Sequence, residues 1–275
     1  MVNLKLEVLK LALRAIEPFQ DRLNRISLFK RIFQVAYDKF APNEFILTEI
    51  QGIKMYINPK DRAISRFIIQ MGGYEIGTTK VFKSVIRKGV IFFDIGAHWG
   101  YYSLIAASLG SRVFAFEPHP ENYELLKQTI SINGLNNKVV PINKAVSIKT
   151  GKAKLFCSTS NVGGHSLVMP ELGEYIEVET VALDDFCKEN NILPEVIKMD
   201  IEGAELLALK GMRRTIKRCD SLKMFVEFKY NKEELYEFLS KYFDNIFRIT
   251  KDGKLVPFDD SKRGNFEPNI YCVRG

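Results

Sequence analysis

Val90-Ile-Phe-Phe-Asp-Ile-Gly-Ala-His-Trp-Gly100, followed by Val113-Phe-Ala-Phe-Glu-Pro118, is the stretch of this chain that decides its fold. Val90 to Phe93 is a continuous run of β-branched and aromatic residues, the pattern of a parallel strand buried on both faces rather than the alternation of a half-exposed one. The run ends in Asp94, turns at Gly96 and Gly100, passes into a helix pattern and returns as a second apolar run ending in Glu117. That order is how an open α/β sheet builds a nucleotide site at its strand ends. Gly96 and Gly100 let the backbone turn tightly and approach a ligand without Cβ interference, and the following helix points free N–H groups at the same place. Glu117 lies 117 − 94 = 23 residues after Asp94, close to the offset of about 20 at which an acid meets a ribose hydroxyl pair.

The glycine pattern is Asp-x-Gly-x-x-x-Gly and lacks the middle glycine of Gly-x-Gly-x-x-Gly, which argues against a pyrophosphate on the turn. A smaller adenosyl ligand fits better, with an acid at the first strand end suited to a cationic amino-acid moiety. S-adenosylmethionine has that shape and charge. The competing reading is that Asp94 caps the next helix and that Gly96 and Gly100 are ordinary turn residues.

Further motifs follow in order: Asp94-Ile-Gly-Ala-His-Trp-Gly-Tyr-Tyr-Ser103, Phe116-Glu-Pro-His-Pro-Glu-Asn-Tyr123, Ile132-Asn133, Lys144-Ala-Val-Ser147, Ile197-Lys-Met-Asp-Ile-Glu-Gly-Ala-Glu205, Leu209-Lys-Gly211 and Phe225-Val-Glu-Phe228. Over about residues 80 to 230 this series resembles the FkbM-type methyltransferases. The resemblance implies a class I methyltransferase (Rossmann-like) α/β fold, a seven-stranded, mostly parallel sheet with helices on both faces. It also implies S-adenosylmethionine as donor and, usually, oxygen methylation of sugars, polyketides or other metabolites. Carried onto this chain it gives Asp94, Gly96, Ala97, Gly100, Glu117, Ala145 and Asp200 as the cofactor-binding set. It leaves the acceptor open, because sites rather than folds fix substrates. By the same resemblance Tyr74-Glu75 borders the cofactor pocket, without an assigned contact.

Four acids, Asp94, Glu117, Asp200 and Glu227, fall at strand ends, where ligands of open α/β sheets bind. Lys198, Asp200 and Glu202 recur at period two and so share one side. A sulfonium is already an activated electrophile, so alignment and exclusion of water supply much of the acceleration, and a base helps when the nucleophile is a hydroxyl. The catalytic candidates are Asp200, Glu227, Lys198 and His165. If a metal takes part, Asp200 with Glu202 and Glu227 is an all-oxygen set suited to Mg²⁺. Glu205 reads as a first-turn helix acid. His98 and Trp99 prop the glycine turn; His119 lies beside the ribose or on a solvated loop. His165 belongs to the loop Ser158–Ser166, either an acceptor-binding lid or a plain connector.

The elements expected around these motifs are strands Val90–Ile95, Val113–Phe116, Val139–Val146, Val196–Met199, Leu222–Phe228, Asn245–Thr250 and Asn269–Val273. The helices between them are Tyr101–Leu109, Pro120–Ile132, Ala204–Ile216 and Lys232–Tyr242, with an inserted antiparallel pair Lys152–Cys157 and Ile176–Leu183 and a turn at Asp252-Gly253. Upstream, a hairpin about Gln51-Gly52 and a helix Asp61–Met71 form a cover. The expected organisation is a basic amphipathic helical segment over 1–43, a cover over 44–79 and a methyltransferase domain over 80–275.

With 46% hydrophobic residues in 275, the chain can bury one sizeable α/β core plus an accessory segment. Cys157, Cys187, Cys219 and Cys272 are widely spaced, which indicates neither a zinc knot nor a disulfide framework, and reduced thiols point to the cytoplasm. No apolar run reaches the ~18 residues of a membrane span. Residues 1 to 40 carry eight Lys/Arg against four acids. This segment either packs over the active-site mouth or against a second copy in a homodimer, or lies on an anionic membrane surface near a lipid-linked glycan acceptor. The alternative class, a nucleic-acid methyltransferase, would draw on the net charge of +7 and the basic cluster Lys210, Arg213, Arg214, Lys217 and Arg218. Against it stands the absence of an Asn-Pro-Pro-Tyr-like base-flipping signature or a nucleic-acid-binding module.

Overall fold

The computed structural model describes residues 45–58, Ser65, Ile68, 73–158, 164–259 and 266–275. The expected helices of 1–43, most of Asp61–Met71 and residues 159–163 of the candidate lid lie outside the described residues. The chain divides into two compact units, Met1–Tyr74 and Glu75–Gly275. In the first, β1 (Ile46–Ile50) and β2 (Ile53–Ile57) form the expected antiparallel hairpin. Gln51 and Gly52 both have positive φ, as a two-residue hairpin turn of primed type requires. Ser65 and Ile68 are helical and buried.

The second unit opens with α1 (Ile76–Val85), then β3 (Ile91–Ile95), α2 (Tyr101–Ser108), β4 (Arg112–Phe116), α3 (Pro120–Ile132) and β5 (Val139–Ile142). After an insertion come β9 (Val196–Met199), α5 (Glu205–Lys210), α6 (Arg213–Arg218), β10 (Lys223–Glu227), α7 (Lys232–Ser240), β11 (Asn245–Thr250), β12 (Leu255–Pro257) and β13 (Phe266–Val273). The insertion is β6 (Ala145–Val146), β7 (Gly151–Phe156), β8 (Tyr175–Val181) and α4 (Leu183–Asn190). The main sheet has the order β12-β11-β13-β10-β9-β3-β4-β5. β10, β9, β3, β4 and β5 are mutually parallel, and β13 runs antiparallel between β10 and β11. Strand order reverses between β3 and β9, which makes their carboxyl ends the switch-point crevice where such sheets bind ligands.

The continuous apolar run of β3 is explained by burial on both faces. Phe92 packs edge-on against Phe82 of α1 at 5.0 Å, while its neighbour Phe93 points the other way and meets Phe186 of α4 at 5.8 Å. Phe92, Phe93, Phe82 and Phe225 are fully buried, each removal from water contributing on the order of 2–3 kcal/mol.

Several boundaries differ from the expectation. Val139–Val146 is two strands, since after Ile142 the chain leaves the main sheet and Ala145–Val146 joins β8 instead. Ala204–Ile216 breaks into two helices at Gly211, where a Cβ would stand 2.1 Å from the Ser147 carbonyl oxygen. That close approach of α5 to the β6 turn uses glycine as a packing device. The antiparallel pair forms as expected, but Leu183 starts a helix rather than ending a strand. The main sheet has eight strands rather than seven, because the turn at Asp252-Gly253 adds β12 at the edge.

Candidate functional site

Register fixes which side chains share a face. On the face covered by α1 and α2, Asp94 lies opposite Lys198, Lys198 is two residues before Asp200, Phe225 is opposite both Lys198 and Tyr271, and Glu227 is opposite Asn269. A row of polar groups therefore runs across the ends of β3, β9, β10 and the start of β13, just beyond the aromatic layer of Phe92, Phe225 and Tyr271.

The glycine turn is built against β9. Gly96 has φ +81°, and a Cβ there would sit 1.9 Å from the Asp200 carbonyl oxygen. Backbone, not a movable side chain, is the obstacle, so only glycine fits. Gly96 and Ala97 donate their N–H groups to the Phe116 carbonyl at 3.0 and 2.9 Å. Gly100, φ +95°, begins α2 with Leu126 Cδ1 2.6 Å from where its Cβ would be. Trp99 is fully buried and donates Nε1–H to Asn122 Oδ1 at 3.1 Å, a prop for the turn as expected.

Glu117 is clamped by backbone. His98 N–H donates to Oε2 at 2.8 Å and His119 N–H to Oε1 at 2.9 Å, while Asn143 Nδ2 braces the Glu117 and Pro118 carbonyls. Burial pushes its carboxyl up to about 7 even though both N–H groups favour the charged form. Each oxygen keeps acceptor capacity beyond its one backbone bond. Asp94 is more enclosed. Its Oδ2 accepts the Ser103 hydroxyl at 2.6 Å, which ties it to the first turn of α2, and burial raises it to about 6.

Lys198, fully buried, lies 3.1 Å from Asp200 Oδ2 and over the Tyr102 ring at 5.2 Å. Burial opposes its charge, but Asp200, Glu75 and Glu227 outweigh that and hold the ammonium above the usual lysine range. Tyr102 donates to Glu75 Oε2 at 2.7 Å. Glu75 itself is raised, by burial first and by Asp200 in addition. Glu227 is pushed up to about 9 by burial, then by Asp200 and Glu202. Asp200, Glu202 and Glu227 each place a carboxylate oxygen within 4.8 Å of the others. Glu202 Oε2 already accepts from Lys229 Nζ at 3.1 Å and Tyr230 OH at 3.3 Å. Glu205 turns inward to accept the N–H groups of Ile201 and Gly203, the helix-start role expected of it. Of the six described non-glycine residues with positive φ, Glu75, His98 and Glu202 border this region, each costing roughly 1–2 kcal/mol that the surrounding structure must hold.

His165 lies in a different cluster from the three carboxylates. Its ring stacks on His119 at 4.2 Å and its Nδ1 accepts the Ser158 N–H at 3.1 Å. Burial first, then His119, lowers it to about 4, so it is neutral at pH 7. The antiparallel bridge between Phe156 and Ser166 sets Cys157 opposite His165. Ala145 is buried with Leu155 and Val178 under the three-stranded sheet, two residues past Asn143.

Residues 94–252 match the family model described as "Methyltransferase FkbM domain". The chain belongs to the FkbM methyltransferase family. It is thus an enzyme, a methyltransferase whose methyl donor is S-adenosylmethionine. Among curated relatives, the chain is 25% identical over 169 residues to the hexuronic acid methyltransferase AglP of Haloferax volcanii, covering 60% of this chain and 69% of that protein. It is 36% identical over 61 residues to the uncharacterized protein MJ1452 of Methanocaldococcus jannaschii, covering 21% and 24%. A solved FkbM methyltransferase of Methylobacillus flagellatus is similar at 18% identity and a TM-score of 0.48, over 76% of this chain and 52% of that one. This chain thus spans about half the length of that solved relative.

The candidate site combines a turn where a Cβ would strike backbone, an acid with acceptor capacity beyond its backbone bonds, and several buried acids. Asp94, Glu117, Glu75 and Glu227 are all raised by burial. A cation entering among them relieves that cost. The sequence assigns no role to Tyr102, Ser103, Asn122 or Asn143, and it places Glu75 at the pocket border by resemblance alone, without a contact. Ser103 carried a signal, as a hydroxyl in the first turn after a strand-end acid; Glu75 carried no physical signal beyond the resemblance, since glutamate is not a favoured cap.

Proposed function

We propose that this FkbM enzyme methylates a hydroxyl of a sugar or glycan, with an acidic sugar the first acceptor to test. The observation that carries the reading is the polar row at the ends of β9, β10 and β13, continuous with the cofactor turn yet beyond it. The similarity to a hexuronic acid methyltransferase supports the acceptor class.

In this reading the turn Asp94–Gly100 and Glu117 hold the cofactor, Glu117 accepting both ribose hydroxyls. S-adenosylmethionine supplies the electrophilic methyl group. Asp200 lies beside the transfer point and accepts the proton of the acceptor hydroxyl, with Lys198 fixing the carboxylate's orientation through the 3.1 Å contact. Glu227, largely protonated at neutral pH by its raised carboxyl, donates a hydrogen bond to the acceptor. Neutral His165 is too weak a base for the proton step. A Mg²⁺ ion on Asp200, Glu202 and Glu227 is the second reading, favoured by their mutual proximity. The ammonium groups of Lys198 and Lys229 already neutralise two of the three, so we put proton acceptance first and expect turnover to survive chelation.

A nucleic-acid acceptor is less well supported, because α6, which carries Arg213, Arg214, Lys217 and Arg218 of the basic cluster, leads into the start of β10 and so lies at the sheet end away from the acids. Arg214 is also engaged with Asp184 and Asp185. For residues 1–43 we propose cover of the core or a contact with a second copy ahead of membrane binding. Among the described residues no helix is long and apolar enough to cross a membrane; a cytoplasmic enzyme acting on a lipid-linked acceptor at the membrane surface is the further possibility to be tested. Incubation with S-adenosylmethionine and glycosides ending in hexuronic acid, neutral hexose or neither should yield S-adenosylhomocysteine fastest with the acidic sugar. Equal rates on RNA would overturn the acceptor assignment.

A further inference from the structure

Four polar atoms at one end of the sheet are buried without a hydrogen-bond partner: Glu75 Oε1, Glu227 Oε2, and both Oδ1 and Nδ2 of Asn269. Such atoms are rare in folded proteins, and each one left unpaired destabilises the fold unless a ligand or water completes it. Here they converge. Asn269 is the register partner of Glu227 across β10 and β13, which sets the two side chains on one face with Cβ atoms about 5 Å apart. Glu75 comes to the same place from above: it precedes α1, whose Gly77 N–H donates to Glu267 Oε1 at 2.9 Å, two residues before Asn269 on the same face of β13. The Asn269 side chain faces the Glu75 carboxylate and favours its ionised form, which ties the two residues into one cluster. Asn269 is completely buried and Glu227 nearly so.

The position along the sheet says which ligand these groups face. Glu117 ends β4, and β3, β9 and β10 separate β4 from β13. With about 4.8 Å between strands, Asn269 is about 19 Å from the ribose end of the row, beyond the reach of the cofactor's amino-acid arm. The Asp200 carboxylate lies between. An amide offers a donor and an acceptor, and two carboxyl groups add acceptors and, when protonated, a donor. Neighbouring hydroxyls on a sugar ring, each both donor and acceptor, meet that set; an apolar or aromatic acceptor would leave it unpaired.

We propose that Asn269, with Glu75 and Glu227, is the recognition site for a polyhydroxylated ring, holding two neighbouring acceptor hydroxyls while a third faces Asp200. This rests on the sugar-acceptor reading above and names the residues that enforce it. Asn269 is the discriminating member, because it takes no part in the cofactor turn or in proton transfer.

The test is Asn269→Leu, with Asn269→Ala should the larger side chain not fold, measured three ways. If the amide is kept for a ligand and not for the fold, removing it raises the melting temperature of the ligand-free protein by about 2–4 °C. Affinity for S-adenosylhomocysteine should stay within twofold, and KM for a hexuronic-acid glycoside should rise at least about tenfold. A fall in melting temperature would show the amide to be structural, and weaker S-adenosylhomocysteine binding would make this the cofactor's own subsite; either result overturns the proposal, as does an unchanged KM. Should the unsubstituted enzyme ignore the glycoside, the sugar reading fails by itself. The melting and cofactor measurements then still decide whether the cluster is kept for a ligand.

Discussion

Replacing Glu117 by Gln keeps the shape of the side chain and removes its charge, and the structure sets what that does. Each carboxylate oxygen takes one backbone N–H, from His98 at 2.8 Å and from His119 at 2.9 Å. Glutamine offers one oxygen and one NH₂, so one of these N–H groups loses its acceptor, at about 1–3 kcal/mol. In the other direction, burial has moved the carboxyl from 4.5 to about 7, so holding it ionised costs about 3 kcal/mol at high pH, which Gln avoids. The two effects nearly cancel, and the variant should fold. Binding should not be spared, because a charged acceptor for a hydroxyl contributes about 1.5–3 kcal/mol more than nothing. At pH 8 the affinity for S-adenosylhomocysteine should fall about 10- to 150-fold by titration calorimetry. In the native protein affinity should also drop as pH falls below 7, where Glu117 protonates, and Glu117→Gln should lose that step. An affinity within twofold of the native value, with the pH dependence unchanged, refutes the ribose role of Glu117.

Further outcomes follow from the same geometry. Asp200→Asn should lower kcat by about 10²–10⁴-fold with cofactor affinity nearly intact; survival of activity in single-turnover assays contradicts the proton-acceptor role. Gly96→Ala should abolish cofactor binding or destabilise the fold severely, because its Cβ would meet the Asp200 backbone at 1.9 Å, whereas Gly100→Ala, opposed by a leucine methyl, should be milder; the reverse order in thermal melts would be against the turn as described. Asp94, Glu117 and Glu227 are held above their ordinary values at about 6, 7 and 9, so the folded state binds more protons than the unfolded. The stability they contribute is present below their unfolded values near pH 4 and is lost as pH rises through 6 to 9. Melting temperature should therefore fall from pH 5 to 9, and S-adenosylmethionine, a cation, should reduce the fall; a rise over that range contradicts the burial of these acids. Removing residues 1–40 should leave liposome binding unchanged and alter solubility or oligomeric state in light scattering if the segment covers the core or a second copy; loss of binding to anionic liposomes would assign it to the membrane.

The core was legible because its signals are local. The run Val90–Phe93 had to be buried on both faces, and Phe82 and Phe186 do bury it; the acids fell at strand ends because apolar runs stop there. The break at Gly211 was not legible, since it is set by the Ser147 carbonyl more than sixty residues away rather than by helix propensity. The split after Ile142 and the edge strand Leu255–Pro257 likewise depend on which neighbour is available to pair. In the candidate site, Asp200, Glu202 and Glu227 could be set together by period and strand order. The Glu227–Asn269 pairing required the register of the reversed strand, and the His119–His165 stack required a β-bridge within an irregular loop. Glu75 was placed near the pocket only by resemblance, and its contact with Tyr102 is set by tertiary packing.

The most direct test of the central claim, that the carboxyl ends of β3, β4 and β9 hold the cofactor with Asp200 at the transfer point, is a crystal structure of the enzyme with S-adenosylhomocysteine. Both ribose hydroxyls should lie within about 3.2 Å of the Glu117 oxygens, with the nucleoside against Gly96 and the sulfur turned toward Asp200. A nucleoside bound elsewhere, or a ribose held by another acid with Glu117 still closed on His98 and His119, would contradict the account.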